Sequence, residues 1–278
     1  MFRLRLATML MSVAVAALLL AAVGSTASAQ QPAGGVVNLE WFGWSFYRFT
    51  SPSGMVILTN PFAANPDSPV KAEDVTKADL IFTADGHGDE VGSAVAIAQS
   101  TGAKLWVPFE LGAWFTEQGV PMDQVLRSNP GGRLKMGDVT LRMVGSVHGS
   151  GLSAPSPRTP YGGPAAGVFI TFENGWTVYF SGSTPAMADQ ALWAQMYKPD
   201  AAILHMGADH DPMDFAMQVK LLQTENPNLK MVMPHHNRVA PPAGQTTVAE
   251  VQAAIDAMGL GIQVMQPNLS QAYSFSKS

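Results

Sequence analysis

Residues 48–60 and 169–181 can be laid over one another with one glycine at each turn, Gly54 in the first and Gly175 in the second. Each segment is a pair of short β-rich runs around a cluster of turn residues, which is how a hairpin is written in sequence. Around each hairpin, strands and helices alternate. The first half reads as strands at 36–41, 46–50, 55–59 and 80–83, a helix at 93–100, a strand at 104–107 and an apolar-faced helix at 109–118. The second half reads as strands at 139–144, 167–172 and 177–181, then helices at 187–197, 214–222 and 248–258 alternating with strands at 201–205, 231–233 and 262–265. This weak duplication limits the chain to an α/β fold built from two similar halves. Charged residues are only 13% and hydrophobic residues 47%, which suits sheets covered on both faces.

The N-terminus reads as an address. Arg3 and Arg5 precede an apolar stretch over 6–23, and Ala27-Ser28-Ala29 offers a small-residue cleavage site, the three-part layout of a secretory signal peptide. A membrane anchor is the alternative, because the apolar run approaches spanning length. Gly24, Ser25, Thr26 and the cleavage site favour removal. The expectation is a signal peptide at 1–29, one domain at 30–278, and a periplasmic or secreted protein with no integral membrane segment after cleavage. Removing 29 of 278 residues leaves 249, and loss of Arg3 and Arg5 moves the net charge from −5 to −7. An acidic chain of this kind lacks the basic footprint of a nucleic-acid-binding protein. The sequence has no cysteine. Thiolate catalysis, thiolate metal ligation and disulfides are therefore excluded, and any metal must be held by His, Asp or Glu.

The six histidines lie at five places: His87 in the loop Asp85-Gly86-His87-Gly88-Asp89-Glu90, then His148, His205, His210 in Asp209-His210-Asp211, and the pair His235-His236. Four of the five places follow the C-terminal end of a strand, the edge where α/β proteins bind ligands. Gly86 and Gly88 let the backbone turn tightly, so that Asp85, His87, Asp89 and Glu90 can face a common centre. Three carboxylates within six residues repel one another at neutral pH unless a cation or basic partner sits among them. Capping of a helix beginning near residue 92 is the plainer alternative; it suits Asp89 and leaves Asp85 and His87 unexplained. The loop at 153–163, with three Pro and two Gly, is of a length that is more often functional or mobile than idle.

At this loop the chain resembles a known family. Ala78-Asp79-Leu80-Ile81-Phe82-Thr83-Ala84-Asp85-Gly86-His87-Gly88-Asp89-Glu90 is similar to the H-x-H-x-D-H loop of the metallo-β-lactamase fold, above all in the branch of metal-dependent hydrolases that includes ascorbate-phosphate lactonases. Trp41-Phe42-Gly43-Trp44-Ser45 resembles that branch's G-H-S strand, and Thr59-Asn60-Pro61-Phe62 its D-P-F turn. Tyr179-Phe180-Ser181-Gly182-Ser183-Thr184 resembles the G-D-T strand end, and Met233-Pro234-His235-His236 the P-x-H strand end. His148 falls where the third metal histidine stands. The likeness runs from about residue 37 to the end of the chain. It implies a four-layer αββα sandwich, a divalent metal cofactor of one or two ions (zinc in the family), and hydrolysis of a small molecule.

Carried over residue by residue, the resemblance keeps His87, Asp89, His148 and His236. It departs at Asp85 and Glu90, where the family has His, at Ser183, where it has a bridging Asp, at Asn60, where it has the Asp of D-P-F, and at Trp44, where it has the His of G-H-S. The expected metal ligands are Asp85, His87, Asp89, Glu90, His148 and His236. Ser183, Asp209, His210 and Trp44 are further site candidates, with Asp211 beside them. Three carboxylates and three imidazoles make an oxygen-rich set, which favours manganese or iron(II) relative to zinc. Without a bridge at Ser183, one tightly held ion is expected rather than two. Asp89, when not a ligand, orients the water or shuttles a proton. Trp44 and the loop at 153–163 shape the mouth. The expected activity is hydrolysis of an ester, lactone or phosphoester type bond. The alternative is a binding protein that has kept the fold and lost the chemistry, which the residues at Ser183, Asn60 and Trp44 would suit. A serine hydrolase is disfavoured, because no G-x-S-x-G elbow occurs.

Overall fold

A computed structural model describes residues 34–152 and 160–277. The expected leader at 1–29, and residues 153–159 of the Pro/Gly loop, lie outside the described residues. The first sheet contains β1 (Val37–Trp41), β2 (Tyr47–Thr50), β3 (Val56–Thr59), β4 (Leu80–Phe82), β5 (Lys104–Pro108) and β6 (Val125–Ser128). The second contains β7 (Arg133–Met136), β8 (Val139–Gly145), β9 (Ala166–Thr171), β10 (Thr177–Phe180), β11 (Ala201–His205) and β12 (Met231–His235). A last strand, β13 (Tyr273–Phe275), returns to the first sheet, so the orders are β13-β1-β2-β3-β4-β5-β6 and β12-β11-β10-β9-β8-β7. The helices are α1 (Gly88–Val91), α2 (Ala94–Thr101), α3 (Phe109–Glu117), α4 (Asp189–Tyr197), α5 (Pro212–Glu225) and α6 (Val248–Ala257).

The two-residue period of a strand explains the layers. Leu80 and Phe82 of β4 point into a core shared with Val178 and Phe180 of β10 and Ala201 and Ile203 of β11, so this core lies between the sheets. Ile81, on the opposite face of β4, packs with Ile97 of α2 and Leu111 and Phe115 of α3. Tyr179 and Leu204, on the opposite face of the second sheet, pack with Phe215 and Val219 of α5 and Val251 and Ile255 of α6. The result is a four-layer αββα sandwich. Its central strands β3, β4, β10 and β11 are buried on both faces, which is why they read as unbroken apolar runs.

The duplication is present in the pairing. The pair Thr50↔Val56 closes the first hairpin and Thr171↔Thr177 the second. Each hairpin then takes a parallel neighbour, Ile57↔Leu80 in one sheet and Val178↔Ala201 in the other. An aspartate fastens each junction in the same way. The Val56 N–H donates to Asp79 Oδ2 at 2.7 Å, and the Thr177 N–H donates to Asp200 Oδ2 at 2.8 Å.

Several elements differ from the sequence expectation. Strands β6, β7 and β13 were not anticipated; they are short, and their exposed positions carry Arg127, Arg133, Lys135 and Ser274, which dilutes the alternation. The expected strand at 262–265 is a single bridge, Val232↔Val264. Gly259 and Gly261, both at positive φ, turn the chain just before it, and Pro267 after it has no N–H to donate. Helix α5 starts two residues before its expected 214, because Asp211 caps it, accepting from the Met213 N–H at 2.9 Å, with Pro212 at the first helical position. Gly92 separates α1 from α2 at φ 49°, where a Cβ would lie 2.6 Å from Phe62 Cα. No helix among the described residues is long and apolar enough to cross a membrane.

Candidate metal centre

The site forms where the C-terminal edges of the two sheets meet. Past β4, the Ala84 N–H donates to Asn60 Oδ1 and the Ala84 carbonyl accepts from the Ala166 N–H, both at 2.8 Å, which ties the strand end to β3 and to the facing sheet. Asn60, where the resemblance implies an aspartate, thus serves as an acceptor for the backbone. The loop then turns against the segment after β8: the Gly86 N–H donates to Ser150 Oγ at 3.1 Å, and a Cβ on Gly86 would lie 3.0 Å from the Ser150 carbonyl oxygen. Gly149 makes room for the His87 ring, since a Cβ there would lie 3.3 Å from both Cε1 and Nε2.

Six side chains gather as two triads, each with ligand atoms within 4.8 Å of one another: Asp85, His87 and His148 in one, Asp89, Glu90 and His236 in the other. Each takes two residues from the first half and one from the second. His236 is the first residue past β12 and sits at φ 62°, a left-handed turn that swings its ring to the site while its neighbour stays in the strand. His236 Nε2 lies 2.9 Å from Asp89 Oδ2 and 3.7 Å from Glu90 Oε1. His87 Nδ1 lies 3.5 Å from Asp85 Oδ1, and the His87 and His148 ring centres are 5.0 Å apart.

Trp44 and Ser183 are both at the site. The Trp44 indole N–H donates to Asp89 Oδ2 at 3.1 Å, and its ring centre is 4.7 Å from that of His236. Ser183 Oγ donates to Glu90 Oε1 at 3.2 Å. Helix capping by these carboxylates does not occur: the cap residues of α1 and α2 are His87 and Ser93, with no side-chain cap bond at either. Asp85 Oδ1 instead accepts from the His87 N–H at 2.9 Å. Asp209 is exposed and belongs to neither triad, and Asp211 is committed to capping α5. His210 lies beside His205, with ring centres 4.2 Å apart.

A network beneath the triads was not anticipated. His235 is fully buried, with Nδ1 3.0 Å from Ser45 Oγ and Nε2 3.2 Å from both Ser181 Oγ and the Gly182 carbonyl oxygen. Ser45 Oγ also donates to Glu90 Oε1 at 3.2 Å. His235 therefore braces Glu90 through Ser45, in the way that outer-shell groups orient metal ligands. The clue in the sequence was the strand-end position of His235; nothing there marked Ser45 or Ser181 as its partners.

Burial and like charges dominate the electrostatics of the described groups. Burial pushes the Asp85 carboxyl up to about 6, against the pull of the His87 N–H and ring. Burial, then the charges of Asp85 and Asp89, push Glu90 well above the carboxylate range despite the Ser45 and Ser183 donors. Asp89 is the exception. Burial raises it, but the hydrogen bond and charge of His236, its own N–H and the Trp44 indole carry it down to about 2. Burial and the surrounding imidazoles hold His205 and His235 well below the histidine range, so these rings are neutral. Asp85 Oδ2, Glu90 Oε2 and His236 Nδ1 are enclosed without a hydrogen-bond partner. Enclosed carboxylate oxygens without donors, beside imidazoles, are groups that could hold a divalent cation.

Comparison with known proteins shows the family. Residues 50–259 match the Beta-lactamase superfamily domain. A metal-dependent hydrolase of Koribacter versatilis is 33% identical over 204 residues, covering 72% of this chain and 84% of the relative. One from Myxococcus xanthus is 34% identical over 222 residues, covering 77% and 76%. Among solved structures, Igni18, a metallo hydrolase from the hyperthermophilic archaeon Ignicoccus hospitalis, aligns with a TM-score of 0.72 and 25% identity over 88% of this chain and 100% of that one. With the fold, the order of its motifs and these relatives in accord, the chain belongs to the beta-lactamase superfamily.

Proposed function

We propose that this protein is a metal-dependent hydrolase acting on an ester, lactone or phosphoester type bond of a small molecule. The observation that carries this reading is the division of six side chains into two triads, with enclosed, unpaired oxygens on Asp85 and Glu90. Asp85, His87 and His148 would hold one divalent ion, and Asp89, Glu90 and His236 a second. Two triads speak for two positions, against the single ion expected from the loss of the bridge at Ser183. A bound divalent ion supplies Lewis acidity and makes water a nucleophile at neutral pH. The chain's own groups do the rest. Trp44 and His236 fix Asp89 Oδ2, leaving Oδ1 to ligate or to take a proton from water. His235, through Ser45, and Ser183 hold Glu90 in place. Three carboxylates in six ligands favour manganese or iron(II) relative to zinc.

Bound metal measured by elemental mass spectrometry, on protein purified without chelator or His tag, tests this. Stoichiometric metal that falls in His87→Ala and in His148→Ala, together with metal-dependent cleavage of ester or phosphoester model substrates, is the expected result. A folded chain that takes up none of zinc, manganese or iron would leave the alternative, a binding protein of the same fold. Equal zinc and manganese in competition test the metal preference, and retention of two zinc ions per chain counts against it. Export is part of the same proposal, supported by the basic start, apolar stretch and Ala27-Ser28-Ala29. N-terminal sequencing of exported protein is expected to begin at Gln30.

A further inference from the structure

His205 and His235 end neighbouring parallel strands and are paired in register, yet their rings fare differently. His235 has a partner on each nitrogen. His205 is 5% exposed, and its Nδ1 is enclosed with no hydrogen-bond partner. The His210 ring stands nearly perpendicular to it, at 81° and 4.2 Å between centres, and its Nδ1 is also enclosed and unpaired. Two adjacent imidazoles with buried, unpaired nitrogens cost desolvation free energy unless something occupies those lone pairs or N–H groups.

Their surroundings say what that is. His205 lies 4.9 Å from His236 and 6.0 Å from His148 between ring centres, so it bridges a member of each triad. The Gly207 backbone packs closely against the Cε1–Nε2 edge of its ring, where a Cβ would lie at 3.1 and 3.3 Å. Gly149 packs in a similar way against the same edge of His87, a member of the first triad. The loop that carries His210 is held, since the His210 N–H donates to the Gly207 carbonyl at 3.1 Å, the Thr246 N–H to the Ala208 carbonyl at 3.0 Å, and the Thr246 hydroxyl to the His210 carbonyl. The pair is thus held by its loop, with no polar partner at either Nδ1.

We propose that His205 and His210 are metal ligands, an imidazole pair that adds a nitrogen-only position between the two carboxylate-bearing triads and takes a nitrogen-preferring ion, zinc or copper(II) rather than manganese. Imidazole suits such ions, whereas carboxylate suits manganese and magnesium. The proposal extends the reading of the triads as cation sites but stands on different atoms, so the two can fail separately.

Zinc and copper(II) titrations of the metal-free full chain, read by calorimetry and by the nitrogen hyperfine pattern of the copper spectrum, test it. His205→Gln and His210→Gln are each expected to weaken one class of binding at least tenfold and to change the copper spectrum. Manganese binding should be left as in the parent. Circular dichroism and melting of the metal-free variants check folding, and if His205→Gln does not fold, His210→Gln, nearer the surface, carries the same readout. Both variants titrating within twofold of the parent, with the same stoichiometry and copper spectrum, would overturn the proposal. Asp85→Ala and His87→Ala separate the readings. Should they cost no metal while His210→Gln does, the imidazole pair stands and the triads do not; the converse result removes the pair.

Discussion

Asp85 carries the most information per atom. One carboxylate oxygen accepts the His87 N–H and the other is enclosed without a donor, and burial raises its pKa from 3.8 to about 6. For a carboxyl raised in the fold, the stabilising contribution is complete below pH 3.8 and is lost as pH rises through about 6. In metal-free protein at pH 7 the ionised group is therefore a burden of up to about 3 kcal/mol, the size of the shift in free energy. Asp85→Asn removes that burden. Relative to the parent, the metal-free variant is expected to be more stable at pH 7 than at pH 4, as measured by urea unfolding at both. A stability difference that is the same at the two pH values would contradict this. The loop was legible as a cluster because its members lie within six residues; that Asp85 is wholly enclosed was not, because the loop is packed by residues far along the chain, with Gly86 bonded to Ser150 and Ala84 to Ala166.

At the scale of elements, the duplication read from Gly54 and Gly175 holds in the strand register, where the pairs closing the two hairpins correspond. The aspartates that fasten each half went unnoticed in the sequence, since a single Asp before a strand has no signature of its own. Asp79→Ala and Asp200→Ala are each expected to lower stability by about 1–2 kcal/mol, the worth of a hydrogen bond to a charged group discounted for partial exposure. Asp200→Ala should cost the more, because Asp200 pairs with Lys277 Nζ at 2.7 Å whereas Asp79 meets Lys77 Nζ only at 3.9 Å. The Asn variants keep an acceptor and should lose less; denaturant melts that rank Asn and Ala alike would refute the pin. Edge strands β6, β7 and β13 escaped the reading for a different reason. They bury little, so their alternation is diluted by charge and their place depends on a neighbour.

Across the whole molecule, each triad draws two residues from the segment 85–90 after β4 and one histidine from the second half, so a bound ion would tie the halves together. Ligand that binds only the folded state stabilises by about 2.7 kcal/mol at a hundred times its dissociation constant, which for a domain of this size raises the melting point by roughly 5–10 °C. Manganese or zinc is expected to produce such a shift in the parent, and a chelator to reverse it. His148→Ala and His236→Ala should each blunt it, and a parent whose melting point ignores both metal and chelator would show that the triads do not bind. By itself, the sequence determined the class of fold and the local content of the site. Those are set by the strand period and by spacing within one loop, which act over a few residues. Only the tertiary structure decided the grouping: that six side chains form two triads, that His236 turns inward while His235 stays behind as a brace, that Asp211 is spent on a helix and that His205 and His210 come together. Which strand lies beside which follows from burying both faces of two sheets, and that depends on the entire chain at once.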